Sequence, residues 1–192
     1  WPNLEGPENC VATFNSESDR LVEDIRMDFI TAVEERVLEM DDQSQAPVST
    51  LQFDYLLTYS DQELLSFQLM FDQYVAIAAH PFPFSHALNY DVENAVMLNL
   101  DDLFFEGSEY LNAISAYIDP VLAAKDFGYE TGTALEVMHQ SENWNFSRNG
   151  LQVNFDVYEV APYAAGPQSL LVPWAELVEI IDPAGPAGRF MK

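Results

Sequence analysis

Few side chains in this sequence carry chemistry beyond hydrogen bonding. They are three histidines (His80, His86 and His139), one cysteine (Cys10) and a large surplus of carboxylates. A nucleophilic serine usually sits on a GxSxG elbow or beside a histidine brought close by the fold. No GxSxG string occurs. Cys10 lies in a turn-rich N-terminal arm, far in sequence from every histidine. As the sole cysteine it excludes an intrachain disulfide and a CxxC redox or zinc pair. The metal signatures HExxH and the glycine-centred calcium loop are missing as well. His80 and His86 bracket a Pro-Phe-Pro-Phe segment with Asp91 nearby, and these three have ligand chemistry. A histidine beside a proline at a strand end more simply bonds backbone and fixes a turn. No metal and no cofactor is therefore expected. Two carboxylates roughly 5–9 Å apart would suffice to hydrolyse a glycoside. With 32 acidic residues and no motif, the sequence selects no pair. The expected catalytic set is empty, with a hydrolase left open.

Aromatic side chains are the more informative group. Tyr90, Tyr158, Tyr163, Phe82, Phe84 and Trp174 stand in or beside proline-rich stretches. Rings near turns mostly cap a core, whereas exposed rings bury area at little entropic cost in a protein or glycan contact. The residues singled out for partner contact are His80, Phe82, Phe84, His86, Tyr90, Tyr158 and Tyr163. They fall in two segments, 80–90 and 158–166.

The elements that must position these residues read as follows. Turn residues Pro2, Gly6 and Pro7 precede a short strand expected at 11–14. Asn15 or Ser16 then caps a helix, and Val22, Ile25, Phe29, Val33 and Val37 form its apolar stripe. Two alternating runs, 48–59 and 64–79, predict a long antiparallel hairpin. Pro81 and Pro83 argue against a central strand at 80–86, so a third strand is expected only from 87 to 91. A strand at 95–100 and a helical turn at 101–105 follow. A second helix, capped by Ser108, spans 109–125 and is kinked by Pro120. Residues 126–142 read as a mobile loop. Strands at 144–147, 151–157 and 169–172 come next, with Asn149-Gly150 as the hairpin turn between the first two. A last helix is expected over 174–181. The fold class is α+β: a mostly antiparallel sheet with a long N-terminal helix and a shorter second helix packed on it.

Size and charge bound the rest. A chain of 192 residues forms one structural unit with a sizeable core. Within it, 1–86 and 87–182 read as two halves and 183–192 as a tail. The formal charge is −25, with only seven basic residues. That excludes nucleic acid as a partner, because phosphate binding needs the opposite field. It favours a cationic partner, a salty habitat, or simple solubility. No apolar run is long enough to span a bilayer. The chain begins at Trp1 rather than Met, which predicts an upstream leader, lipid anchor or membrane helix.

Two sets of strings resemble a known family. Ala79-His80-Pro81, Asn89-Tyr90-Asp91 and Leu100-Asp101-Asp102-Leu103-Phe104 form the first. The second is Tyr158-Glu159-Val160-Ala161-Pro162-Tyr163-Ala164-Ala165-Gly166, followed by Val172-Pro173-Trp174-Ala175-Glu176-Leu177. Together they resemble the domain-of-unknown-function family 3298. The N-terminal half, with Pro2, Phe14-Asn15 and the helix after it, is similar to the companion domain of unknown function 4163. The resemblance implies an extracytoplasmic protein like the outer part of the anti-sigma factor RsiV, which binds lysozyme. It is equally like the non-catalytic N-terminal region of the peptidoglycan deacetylase PdaC. Ile77-Ala78 stands where the family often has glycines. The expected function is thus an exported, non-catalytic cell-envelope binding or sensor module, its partner a cationic wall-lytic protein such as lysozyme. The alternative is a peptidoglycan- or carbohydrate-binding accessory module of a wall-modifying enzyme.

Overall fold

The computed structural model describes residues 1–40, 47–141 and 143–191. Its architecture is α+β, with two antiparallel sheets and helices packed on each.

Helix α1 (Glu8–Leu38) begins directly after Pro7, whose extended backbone (φ −58°, ψ 132°) sets the entry. The sequence placed this start eight or more residues later, capped by Asn15 or Ser16, and put a strand at 11–14. Both cap candidates lie inside the helix, where Asn15, with Ser18, ties down the arm ahead of it. Asn15 accepts from the Leu4 amide and donates to the Leu4 carbonyl. Ser18 donates to the Pro2 carbonyl. The outer face of α1 carries Arg20–Glu17, Arg20–Asp24, Arg26–Glu23 and Arg36–Glu39 ion pairs at helical spacing. Its inner face buries Phe14 and Ile25 on the first sheet.

That sheet has the order β1 (Thr50–Ser60), β2 (Leu64–Tyr74), β3 (Phe82–Asp91), β4 (Val96–Met97). Phe53, Phe71 and Phe84 fall in register across it, as do Leu57, Phe67 and Leu88. They form the face beneath α1. A bulge between Leu57 and Tyr59 turns Tyr59 to the opposite face, where it packs on Phe146 and Phe190. β3 starts five residues earlier than the prolines led us to expect. Pro83 has the same parity as Ser85, whose amide points away from β2 to an edge that β4 covers only at Tyr90 and Asp91. The missing amide of Pro83 therefore costs the ladder nothing.

A short 3-10 turn (Leu100–Leu103) leads to α2 (Tyr110–Ala123), which continues through Pro120. Ser108 does not cap it: Glu109 is the preceding residue, and no side chain bonds there. The stretch expected to be a mobile loop holds α3 (Thr133–Met138). It is pinned by Asp119, which accepts from the Tyr129 hydroxyl and from the Gly132 amide. The second sheet orders β5 (Trp144–Ser147), β6 (Gly150–Phe155) and β7 (Gln168–Pro173) in sequence. α4 (Trp174–Leu177) closes the layer, shorter than expected. Ser147 pairs with Gly150, so the turn is Arg148-Asn149. Gly150 is needed for a different reason: a Cβ there would stand 2.2 Å from the Val172 carbonyl oxygen.

The two sheets meet through a buried polar network set beside the apolar contacts of Tyr59 and Leu64. Ser66 of β2 donates to Asn89, and Asn89 donates to the Trp144 carbonyl. Asn145 donates to Ser66 Oγ and to the Phe67 carbonyl and accepts from Asn154. No helix among the described residues is long and apolar enough to cross a membrane.

Candidate functional site

β3 and the loop after β6 bring the two candidate segments together. His80 precedes β3, and its ring stacks on Tyr163 with centroids 3.9 Å apart. Tyr158 completes the group at 6.4 Å from His80 and 5.7 Å from Tyr163. The Pro81 carbonyl is the common acceptor: Tyr163 Oη donates to it at 2.8 Å, and His80 Nδ1 lies 2.9 Å away. A carbonyl can only accept, so Nδ1 carries the proton. In the neutral ring Nε2 then accepts from Tyr158 Oη at 3.3 Å. Tyr158 is 58% exposed. Its φ of +71° lies in the left-handed region, uncommon for a bulky side chain.

The platform is held by a polar tie that the sequence did not single out. Asp156 accepts from the Ser85 amide at 3.1 Å and from the Ser85 hydroxyl at 2.9 Å. Asn143 donates to the Ser85 carbonyl and to its hydroxyl oxygen. Glu159 in turn accepts from the Asp156 amide at 2.6 Å. The unpaired edge of β3 is thereby sealed by the loop that presents Tyr158. Burial raises the Asp156 carboxyl above its ordinary pKa, against the opposing Ser85 bonds and the neighbouring His86. Burial raises Glu159 likewise, opposed by the bond from the Asp156 amide and helped by the Asp156 charge. The only advance signal for this tie was that Asp156 and Glu159 flank Tyr158 in one string.

Beside Tyr158 runs an open groove of about 270 Å³, lined among others by Phe127, Tyr129, Glu130, Thr133, Glu159 and Pro162. Its far wall is the segment that Asp119 pins, and burial pushes the Tyr129 hydroxyl up to about 12. That Tyr129 and Phe127 would face the 158–163 string was not legible from spacing.

The other expected contact residues separate from this platform. Phe82, Phe84 and His86 lie on the α1 face of the sheet and line a second groove of about 320 Å³ with Ile25, Asp28 and Gln73. Phe84 stacks on Phe71 at 5.0 Å, so it is largely a core ring. Desolvation lowers the His86 pKa, against the pull of Asp156. Tyr90 is a correction: it is 0% exposed, packed on Phe14, with its hydroxyl donating to the Cys10 carbonyl. It cannot touch a partner. Ser85 and His86, being neighbours in a strand, point to opposite faces and form no nucleophile–base pair. Among the described residues no group of three or more His, Cys, Asp or Glu is placed to hold a metal ion. A separate acidic cleft holds Glu63, Asp91 and Asp102, and these carboxylates already serve Arg189, Asn94 and Asn99 respectively.

Residues 101–175 match the model of a family described as "Protein of unknown function (DUF3298)". The match takes in Tyr129, Asp156, Tyr158, Glu159 and Tyr163. Over 155 residues, 74% of the chain, the protein is 27% identical to the peptidoglycan-N-acetylmuramic acid deacetylase PdaC of Bacillus subtilis (strain 168). The aligned part is 32% of that enzyme's length. Two solved structures share the fold. A DUF3298 family protein from Pseudomonas aeruginosa PAO1 has a TM-score of 0.58 at 18% identity, covering 73% of this chain and 66% of that one. A member of the same family from Bacteroides fragilis NCTC 9343 has a TM-score of 0.61 at 22% identity, covering 98% and 74%.

Proposed function

We propose that this chain is a non-catalytic binding module of the cell envelope and that its contact surface is the His80–Tyr158–Tyr163 platform. One observation carries the reading. Two loops, 78 residues apart at His80 and Tyr158, converge into a half-buried ring cluster held by its own hydrogen bonds, with Tyr158 open to solvent. A chain that only needed to fold would gain nothing from holding Tyr158 left-handed and open to solvent. In this reading the partner is peptidoglycan. The similarity to a fraction of a peptidoglycan deacetylase supports a wall-associated role. It equally supports an extracytoplasmic location. The N-terminal half then acts as the companion domain that carries His80 to the platform.

A second reading is favoured by the charge of −25: the partner is a cationic wall-lytic protein such as lysozyme, steered by the field. One experiment separates the two. Purified sacculi are sedimented with the protein, and lysozyme is titrated beside an equally basic unrelated protein, each at low and at physiological salt. The first reading expects co-sedimentation that survives physiological salt and falls with Tyr158→Ala. The second expects binding to lysozyme over the basic control, weakening with salt. A folded protein that binds neither sacculi nor lysozyme refutes both.

A further inference from the structure

We infer that the groove beside Tyr158 takes an amino sugar carrying a free ammonium group, that is, a de-N-acetylated stretch of wall glycan. This rests on the platform being a wall-binding surface and goes on to name the ligand.

The walls of the groove have the chemistry of a saccharide subsite. Tyr158, Tyr129 and Phe127 contribute rings to its lining, and Pro162 adds a rigid apolar ring. Pyranose C–H faces pack on such rings, as other rigid flat groups do. Tyr158 stands between this groove and the ring pair His80–Tyr163, which backs it and fixes its tilt. The remaining polar side chains of the lining are Glu130, Glu159 and Thr133; no Lys or Arg is among them. Glu130 is exposed and supplies an acceptor and negative charge, while Glu159 already accepts from the Asp156 amide and adds its remaining acceptor capacity. Such a lining discriminates between two forms of one sugar that differ only at nitrogen. An N-acetyl group is neutral and brings one donor, whereas an ammonium brings three donors and a full charge. Charge complementarity therefore selects the ammonium form.

The same step resolves a conflict in the wall-binding reading. A protein of −25 is repelled by any wall surface rich in carboxylates. Amino sugars freed of their acetyl groups are cationic patches on that surface, and there the field works for binding. Such a ligand is the product of N-deacetylation. The module would thus read wall already processed by that class of reaction rather than its substrate.

The probes are the glucosamine tetramer, the N-acetylglucosamine tetramer and tetralysine, each titrated calorimetrically into the full chain at physiological salt, with sacculi sedimentation run alongside. The glucosamine tetramer is expected to bind at least about tenfold more tightly than the N-acetylated tetramer and than tetralysine. Tyr158→Ala and Glu130→Gln are each expected to weaken it about tenfold. Glu159→Gln, which keeps the acceptor for the Asp156 amide, is expected to do the same without loss of fold. Equal binding of the two sugars overturns the ammonium selectivity. Equal binding of tetralysine reduces it to general attraction and overturns the site. Sacculi binding without binding of either tetramer overturns this inference and leaves the wall reading standing, and loss of sacculi binding as well removes both.

Discussion

Replacing Asn145 by alanine tests how the two sheets are joined. Asn145 is 0% exposed. Its amide makes three bonds: to Ser66 Oγ at 3.0 Å, to the Phe67 carbonyl at 2.9 Å, and from Asn154 Nδ2 at 2.9 Å. Each buried bond contributes about 1 kcal/mol net, and a buried group left without a partner costs about 1–3 kcal/mol. Truncation removes three bonds and strands Asn154 Nδ2, for which no other acceptor is in reach among the bonds described. With the Asn154 bond counted once, within the cost of stranding its donor, the sum is about 3–5 kcal/mol, a large share of the roughly 5–15 kcal/mol a domain holds. For a chain of this size that lowers Tm by about 10 °C. The assay is urea and thermal unfolding followed by far-UV and near-UV circular dichroism. Because Asn145 bonds across from the second sheet to the first, both signals are expected to shift together. A loss under about 1 kcal/mol would refute the network as the joint. Separated transitions would refute the idea that the halves fold as one unit.

Three further outcomes follow from the same geometry. Tyr129 holds its proton to about pH 12 in the folded state, above the ordinary tyrosine value, so its contribution to stability is complete below about pH 10 and is lost as pH rises through about 12; Tyr129→Phe, lacking the bonds to Asp119 and from the Ala134 amide, is expected to lose about 1–2 kcal/mol at neutral pH by urea titration. The raised carboxyl of Asp156 binds its proton more tightly folded than unfolded, so its share of stability grows as pH falls through its folded-state pKa toward the ordinary carboxylate range; Asp156→Asn is expected to flatten that gain in a pH series of urea midpoints. A fragment starting at Ala87 loses α1, β1, β2 and half of β3, leaving Asn89, Asn145 and Phe146 without Ser66, and is expected to be molten, whereas a well-dispersed NMR spectrum from it would contradict a single unit.

Much of the fold was legible in the sequence because alternation and helical spacing are local signals. The β1–β2 hairpin, the three closing strands and α2 lie within a few residues of where periodicity put them. What failed were inferences from single residues whose role depends on a distant neighbour. Asn15 has the chemistry of a cap, but its partner is Leu4, so the helix runs past it. Pro83 has the chemistry of a strand breaker, but the edge it faces is unpaired at that point. Asn149-Gly150 looks like a turn that needs a glycine, and the glycine is instead demanded by the approach of β7. The site divided in the same way. His80, Tyr158 and Tyr163 were singled out in separate segments, and their meeting, through Tyr163 on the Pro81 carbonyl and Tyr158 on His80, was not legible from spacing. Tyr90 obeyed the alternation of its strand and went inside, a consequence of parity that its place beside a proline-rich stretch concealed.

The charge of the chain narrows what its surface can recognise. Of the seven basic residues, Arg20, Arg26, Arg36 and Arg189 are held in ion pairs, and Lys125 bonds Gln168. Three of the paired arginines stand on the outer face of α1, so positive charge is spent on stabilising that helix rather than offered to a ligand. The carboxylate surplus elsewhere is left to act outward. At physiological salt its reach is about 8 Å, enough to reward a cation in contact but too short to choose among cations at a distance. Discrimination must then come from groups that touch. Aromatic rings beside carboxylates, as in the groove at Tyr158, combine shape with sign, whereas in the acidic cleft Glu63, Asp91 and Asp102 are already engaged by the chain itself and no aromatic ring lines it. The groove at Tyr158 joins rings to the exposed Glu130, and it opens beside the platform to which the N-terminal half brings His80.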